Sequence, residues 1–266
     1  VAAVSPKAAY EREVYKIAVE GLRSFDSYDA GSYERNNRNW HAVNESAEIT
    51  DRYNRDTIRA RARDLERNSD IMNSITSAWK RNIIGSGFIL QAKTPDVELN
   101  KQIEKAWKKW CKKQNCDVTQ TQSLNQMLRM AVNRKKIDGG ILFIKRYTRD
   151  GMIPFKLQMI EVDELDITET APKHKGNKVV GGIEYNSYNT PVGYFIKQYD
   201  INGYNINNPV YVEAKDVIFY FTKKRPSQVR EISDMAPTIP RIRDVNEFIT
   251  AVSVKERILA CLAVFI

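Results

Sequence analysis

Glu161, Asp163, Glu164, Asp166 and Glu169 place five carboxylates within nine residues. Alternating carboxylates in a strand share one face, and such a face could seat a magnesium ion, as in a metal-dependent nuclease. No lysine or histidine base motif accompanies them, and a solvated strand-to-loop segment explains the same run. Gly85-Ser86-Gly87 invites a phosphate-loop reading. It lacks the Gly-Lys-Ser/Thr of such a loop and follows a helix where a phosphate loop follows a strand, so it reads as a helix stop. Lys101, Lys105, Lys108, Lys109, Lys112 and Lys113 surround Trp107 and Trp110. They could clamp a nucleic-acid backbone, but the simpler reading makes them the wet face of a helix whose tryptophans pack inward. "TKKRPSQVR" (222–230) carries Lys223, Lys224, Arg225 and Arg230 on a proline-broken loop leaving a strand. Such a loop is expected outside the core, offering its charges to water, a partner subunit or phosphate.

No Ser-His-Asp spacing, no paired carboxylates with a base and no cofactor fingerprint accompany these clusters. His41 and His174 are isolated, and Cys111, Cys116 and Cys261 have no zinc spacing, so no metal or cofactor is expected and the thiols are read as free. The formal charge is +9 and the isoelectric point about 9.3. That excess suits a neighbouring polyanion and says little about fold. No run approaches the ~18 apolar residues that span a bilayer, and no signal peptide is visible. The final "ILACLAVFI" leaves an apolar helix without a stop signal, which suggests a piece of something longer.

The elements that must hold these residues follow from periodicity. The first ~50 residues are polar and aperiodic, an extended arm with a short helix near Tyr10–Leu22. Ile58, Ala62, Leu65, Met72, Ile75, Trp79 and Ile83 recur at close to 3.6 residues, predicting a long helix over about 47–83 with a break near Asn68-Ser69-Asp70. Two further helices carry Ile103, Trp107 and Trp110, and Leu124, Met127, Leu128 and Ala131. After Asp138-Gly139-Gly140 come "ILFIKRY", "FKLQMIEV", "VVGGIEY", "VGYFIKQY" and "DVIFYFT", short apolar runs between turn residues that read as antiparallel strands, with "NSYNT" as a hairpin turn. From Pro240 a helix resumes along Ile242, Val245, Ile249, Val252, Leu259 and Leu262. Helices, then an antiparallel sheet, then a long C-terminal helix make an α+β chain.

Five stretches in one order resemble the lambda-type phage portal family. "RARDLERNS" (61–69) resembles its Arg-Ser-Arg-Asp-Leu-x-Arg-Asn signature, and "NIIGSGFILQ" (82–91) its Asn-Val-Val-Gly-Ser-Gly segment. "LQMIEVDEL" (157–165) is similar to its Glu-x-Asp-x-Leu strand end, and "GIEYNSYNTPVGYFI" (182–196) to its Gly-Ile-Glu-Tyr hairpin. "KRPSQVREISDMAP" (224–237) resembles its Arg-Pro-Gly-Gln-x-Arg-Gly loop. Ser227 and Glu231 stand where that family usually has glycine, and Gly140 where a glutamate often follows Asp-Gly. The resemblance implies a non-enzymatic subunit of a ring, typically of twelve, at a capsid vertex of the virion, assembled in the host cytoplasm. Double-stranded DNA would pass through it without base readout, while the docked terminase hydrolyses ATP. Scaffold or capsid proteins and a head-tail adaptor would be the other partners, and no membrane is involved. Residues 1–50 would be the arm, 51–239 the wing (helices 51–136, antiparallel sheet 138–222) and 240–266 the start of the first stem helix. The clip, second stem helix, tunnel loop and crown would follow Ile266. Arg61, Arg63, Arg67, Lys223, Lys224, Arg225 and Arg230 become candidates for subunit-interface or DNA-backbone contacts, with Asp64 and Glu66 as local partners of the arginines. The rivals are a nuclease using Asp163, Glu164 and Asp166, and a non-specific nucleic-acid-binding module using Lys105, Lys109 and Lys224.

Overall fold

A computed structural model describes residues 6–23, 39, 41–149 and 153–263. The chain divides into two units, residues 1–45 and Ser46–Ile266. In the first, helix α1 spans Pro6–Arg23, longer than the short helix expected there. The rest of the expected arm falls mostly on residues 24–38 and 40, outside the described residues.

The second unit opens with three helices where one long helix was expected: α2 (Ala47–Arg52), α3 (Arg55–Asn68) and α4 (Asp70–Ile83). The break at Ser69 is the anticipated one. Ser69 is extended (φ −119°, ψ 122°) and its hydroxyl accepts from Met72 N at 3.4 Å, so one residue ends α3 and caps α4. The break at Tyr53-Asn54 has no apolar-period signal to announce it. Helix α5 (Val97–Trp110) starts at Asp96, whose carboxylate accepts from Glu98 N and Leu99 N. The short α6 (Lys113–Cys116) and then α7 (Leu124–Ile137) follow, the latter closed by a Ser123/Gln126 capping box.

Among the described residues there are seven strands: β1 (Gly140–Arg146), β2 (Lys156–Ile160), β3 (Lys178–Val180), β4 (Ile183–Tyr185), β5 (Pro191–Tyr199), β6 (Asn205–Glu213) and β7 (Val217–Phe221). They form two antiparallel sheets, β2-β1-β7 and β3-β4-β5-β6, where the sequence suggested one. Gly181-Gly182 splits "VVGGIEY" into β3 and β4. The β4–β5 turn is the expected one, with Asn186 Oδ1 accepting from Tyr188 N and Thr190 N. Strand β6 escaped the sequence reading because "NINNPVYVE" begins with turn-type residues. It pairs with β5, and as an edge strand it tolerates Pro209, which has no N–H to donate.

The layers follow from β1. Its Leu142 and Ile144 face the second sheet and pack with Ile160, Ile183, Tyr194, Ile196 and Val212. Its Ile141 and Phe143 face the helices and pack with Trp110, Leu124, Met127 and Ala131. A strand buried on both faces reads as an unbroken apolar run, and each such Leu or Ile contributes roughly 1.5–3 kcal/mol. A third cluster joins Ala62, Leu65, Met72 and Ile137 to Met235, Ile239 and Ile242, which anchors the start of helix α8 (Ile239–Ala263). Gly139 sits against the chain that leads there. At φ +92°, a Cβ on it would lie 2.4 Å from the Ile232 carbonyl carbon, so only glycine lets the two backbones meet. The α+β expectation holds, with helices first, sheets second and a long helix last.

Candidate functional site

Two features stand out against this frame: a network of arginines and carboxylates that runs from the buried Arg230 and Glu231 to the half-exposed Arg63 and Asp163, and the uncovered length of α8.

The network is built on α3. Arg55, Arg59 and Arg63 repeat every four residues, so they share one side of the helix, beside its apolar stripe. Arg55 donates to Glu48 Oε2 at 2.7 Å and to the Glu231 carbonyl at 3.1 Å. Arg59 bonds Asp163 Oδ1 at 2.8 Å and Glu231 Oε1 at 3.1 Å, and pairs with Asp56 as well. Arg63 reaches Asp138 at 2.7 Å, Asp163 Oδ2 at 2.6 Å and Glu161 at 3.2 Å. Arg134 of α7 closes the far end on Asp138 and Glu66. Burial works against the charge on Arg63, but its bond to Asp138 and the nearby Asp163 and Glu161 outweigh that and raise its pKa.

Arg230 lies at the other end and is 1% exposed. It bonds both Glu231 oxygens and donates to the carbonyls of Gly181 (2.7 Å) and Val162 (3.0 Å). Burial disfavours its charge, and Glu231 more than restores it, so its pKa is raised. This overturns the expectation that the whole 222–230 loop lies outside the core. The loop turns inward because Gln228 ties it to itself: its side chain accepts from Lys224 N at 2.7 Å and donates to Arg230 O at 2.9 Å. Lys223 and Arg225 remain exposed, and Lys224 approaches Asp234 at 3.5 Å. The two positions that depart from the family's glycines carry contacts. Ser227 Oγ accepts from Ala47 N at 2.9 Å, and Glu231 is the counter-ion that both Arg59 and Arg230 share.

The other candidates scatter. Arg61 is exposed, and Arg67 is exposed with only a loose 3.9 Å approach to Asp64. Glu66 serves Arg134, not the α3 arginines, which corrects its expected partnership. Gly85 has φ +53° and ends α4 as a helix stop does. The acidic run is neither a strand face nor fully solvated. It forms a 3-10 turn, Val162–Glu164, after β2 ends. Within it Glu161 and Asp163 hold arginines, Glu164 accepts from Glu161 N, and Asp166 accepts from Thr168 N and its hydroxyl. The carboxylates are thus taken up by protein donors, Glu161 and Asp163 sharing Arg63; among the described residues no His/Cys/Asp/Glu group could hold a metal ion. On α5 the lysines are exposed while Trp110 is buried and donates to Phe155 O at 2.8 Å, as the wet-face reading has it. Sequence reasoning missed Arg55, Arg59 and the counter-ion role of Asp138; the four-residue arginine repeat flanking an apolar stripe was the available signal.

Helix α8 is anchored at Ile239 and Ile242 and then left bare. Val245, Phe248, Ile249, Val252, Ile258, Leu259 and Leu262 are all exposed, Phe248 by 68%. Uncovered apolar surface of that extent marks a contact with something else. No helix among the described residues is long and apolar enough to cross a membrane.

Comparison with known proteins points the same way. The sequence model of the family described as "Phage portal protein, lambda family" matches residues 33–266. A "Probable portal protein" of Halomonas phage phiHAP-1 is 29% identical over 187 residues, which cover 66% of this chain and 36% of that relative. The matched region thus spans about a third of the relative's length. With the family match running over most of its length, this chain belongs to the lambda family of phage portal proteins.

Proposed function

We propose that this chain supplies the wing (about 51–239) and the start of the first stem helix (from about 240) of a portal subunit, and that copies of the full-length subunit close into a ring, typically of twelve, at one vertex of the capsid. Double-stranded DNA passes through the ring during packaging and ejection. Terminase, scaffold or capsid proteins and a head-tail adaptor dock on the assembled particle, which is built in the host cytoplasm. The chain's own role in this reading is structural, with ATP hydrolysis left to the terminase.

The observation that carries the reading is the exposed apolar surface of α8, a helix anchored at Ile239 and Ile242. A helix that leaves large apolar residues from Val245 to Leu262 exposed among the described residues is stabilised by lying against a neighbour. The ion network serves that purpose indirectly. It locks α3, α7, the 162–164 turn and the 224–231 loop to one another, and the chain runs straight from Glu231 into α8. A single-handed contact repeated head to tail generates a ring when the rotation closes.

A channel that lets DNA slide needs diffuse attraction without a local grip, so base readout is excluded from the mechanism. The exposed charges Arg61, Arg67, Lys223 and Arg225 suit a subunit contact or weak phosphate attraction, whereas Arg63 and Arg230 are engaged inside the wing. Negative-stain microscopy of the full-length protein tests the assembly: rings with a central hole support it, and monodisperse monomers at micromolar concentration refute it. DNA binding is tested by a gel-shift series in salt, where affinity should fall steeply with salt and show no base preference.

A further inference from the structure

We infer that the irregular segment Phe88–Ala92 pairs, antiparallel, with the free edge of strand β7 in a neighbouring copy of the chain, so that each subunit lends a strand to the next. The inference rests on the ring assembly proposed above and names the contact that would hold the wings together.

The donor segment follows the Gly85 helix stop. Phe88, Ile89, Leu90 and Gln91 belong to no helix or strand, and no hydrogen bond within the described residues reaches their backbone groups. Order returns at Ala92, whose N–H donates to Glu104 at 3.2 Å. Yet the three leading side chains are large and apolar, and Ile89 is 80% exposed. A stretch with strand-type residues, no charge and unused backbone donors and acceptors is what adds to a sheet edge.

The acceptor is found by elimination. The two sheets have four edges. Strand β2 is already bridged, since Val118 N donates to Leu157 O at 3.1 Å. Strand β3 has three residues, and β6 carries Pro209, which blunts it. Strand β7, "VIFYF", has β1 on one side only and carries neither charge nor proline to guard the other, while Ile218 and Tyr220 remain exposed. An unguarded apolar edge of this kind is a liability unless a partner covers it.

Charge selects the direction. In an antiparallel register Phe88 faces Phe221, Ile89 faces Tyr220, Leu90 faces Phe219, and the next pair beyond the strand end is Lys93 with Asp216. A parallel register would carry Lys93 towards Lys223 and Lys224, like against like. Donor and acceptor are different surfaces, so the contact is head to tail and propagates around a ring.

The test uses the full-length protein with Ile89→Cys and Tyr220→Cys combined, oxidised and run on a non-reducing gel beside each single variant, with particle mass measured in parallel. A ladder of linked subunits in the double variant alone supports strand exchange. A second set needs no cysteine: Lys93→Asp and Asp216→Lys should each weaken assembly about two- to fivefold, and together restore it. Rings that form without a ladder and without restoration overturn the inference and leave the ring assembly standing. Wild-type protein that forms no oligomer overturns both.

Discussion

Arg230 bonds Glu231, its own neighbour in sequence, through two nitrogens: Nε to Oε2 at 2.8 Å and Nη2 to Oε1 at 3.0 Å, with both side chains essentially out of contact with water. Arg59 joins the same carboxylate from α3. Removing one charge from such a group leaves the others buried without compensation. Glu231→Gln should therefore cost about 3–5 kcal/mol, and Arg230→Met a similar amount. Urea denaturation with an unchanged slope measures both. A loss below about 1 kcal/mol for each would show that the network does not hold the wing together.

Asp163 is a strut between Arg59 and Arg63 in this account, not a metal ligand. Asp163→Ala should lower stability by about 1–3 kcal/mol. Magnesium should leave plasmid DNA intact with either protein. Magnesium-dependent cleavage by the wild type, lost in Asp163→Ala, would reinstate the nuclease reading.

The arginines and lysines of the two basic segments should separate cleanly. Arg63→Ala strips Asp138, Asp163 and Glu161 of a shared partner and should cost about 1–3 kcal/mol. Arg61→Ala and Lys223→Ala alter exposed positions and should stay within about 0.5 kcal/mol. Thermal melts of the three variants decide it; equal losses would contradict the division between internal and outward charges.

Acid should loosen the junction beneath α8. Asp234 accepts from Lys135 at 2.7 Å and lies 3.1 Å from Lys136. Burial pushes its pKa up, but the two lysines outweigh burial and hold it below the ordinary 3.8. A carboxyl with a depressed folded-state pKa contributes stability above its unfolded value and loses that contribution as pH falls through the folded one. The wild type should thus exceed Asp234→Asn by a constant margin from pH 5 to 7, and the margin should shrink below pH 3.8. Urea midpoints across that range provide the check, and a margin that grows on acidification would reverse the assignment.

Much of the fold was written in periodicity. The α3–α4 stripe, the α5 and α7 faces and five strand segments emerge from apolar spacing because burial on one side imposes it. What escaped did so for local reasons. Strand β6 starts with asparagines and contains Pro209, which an edge strand tolerates and a pattern reader discounts. The number of sheets depends on which face of β1 each strand covers, and β1 is apolar on both. The candidate site was less legible. Arg230 sits among residues that look wet, and its burial depends on Glu231, Gly181 and Val162, three partners supplied by different segments. The apolar tail, by contrast, was visible at once, since Val245, Ile249, Val252, Leu259 and Leu262 form an apolar run that the sequence alone displays.

The central claim is that the exposed apolar surface of α8 is covered by the neighbouring subunit. Particle mass of the full-length protein, compared between wild type and the pair Phe248→Asp and Leu259→Asp, tests it most directly. The account predicts closed rings for the wild type and folded monomers for the variant, with the wing's far-ultraviolet circular dichroism unchanged. Rings that form equally well with both aspartates in place would contradict it.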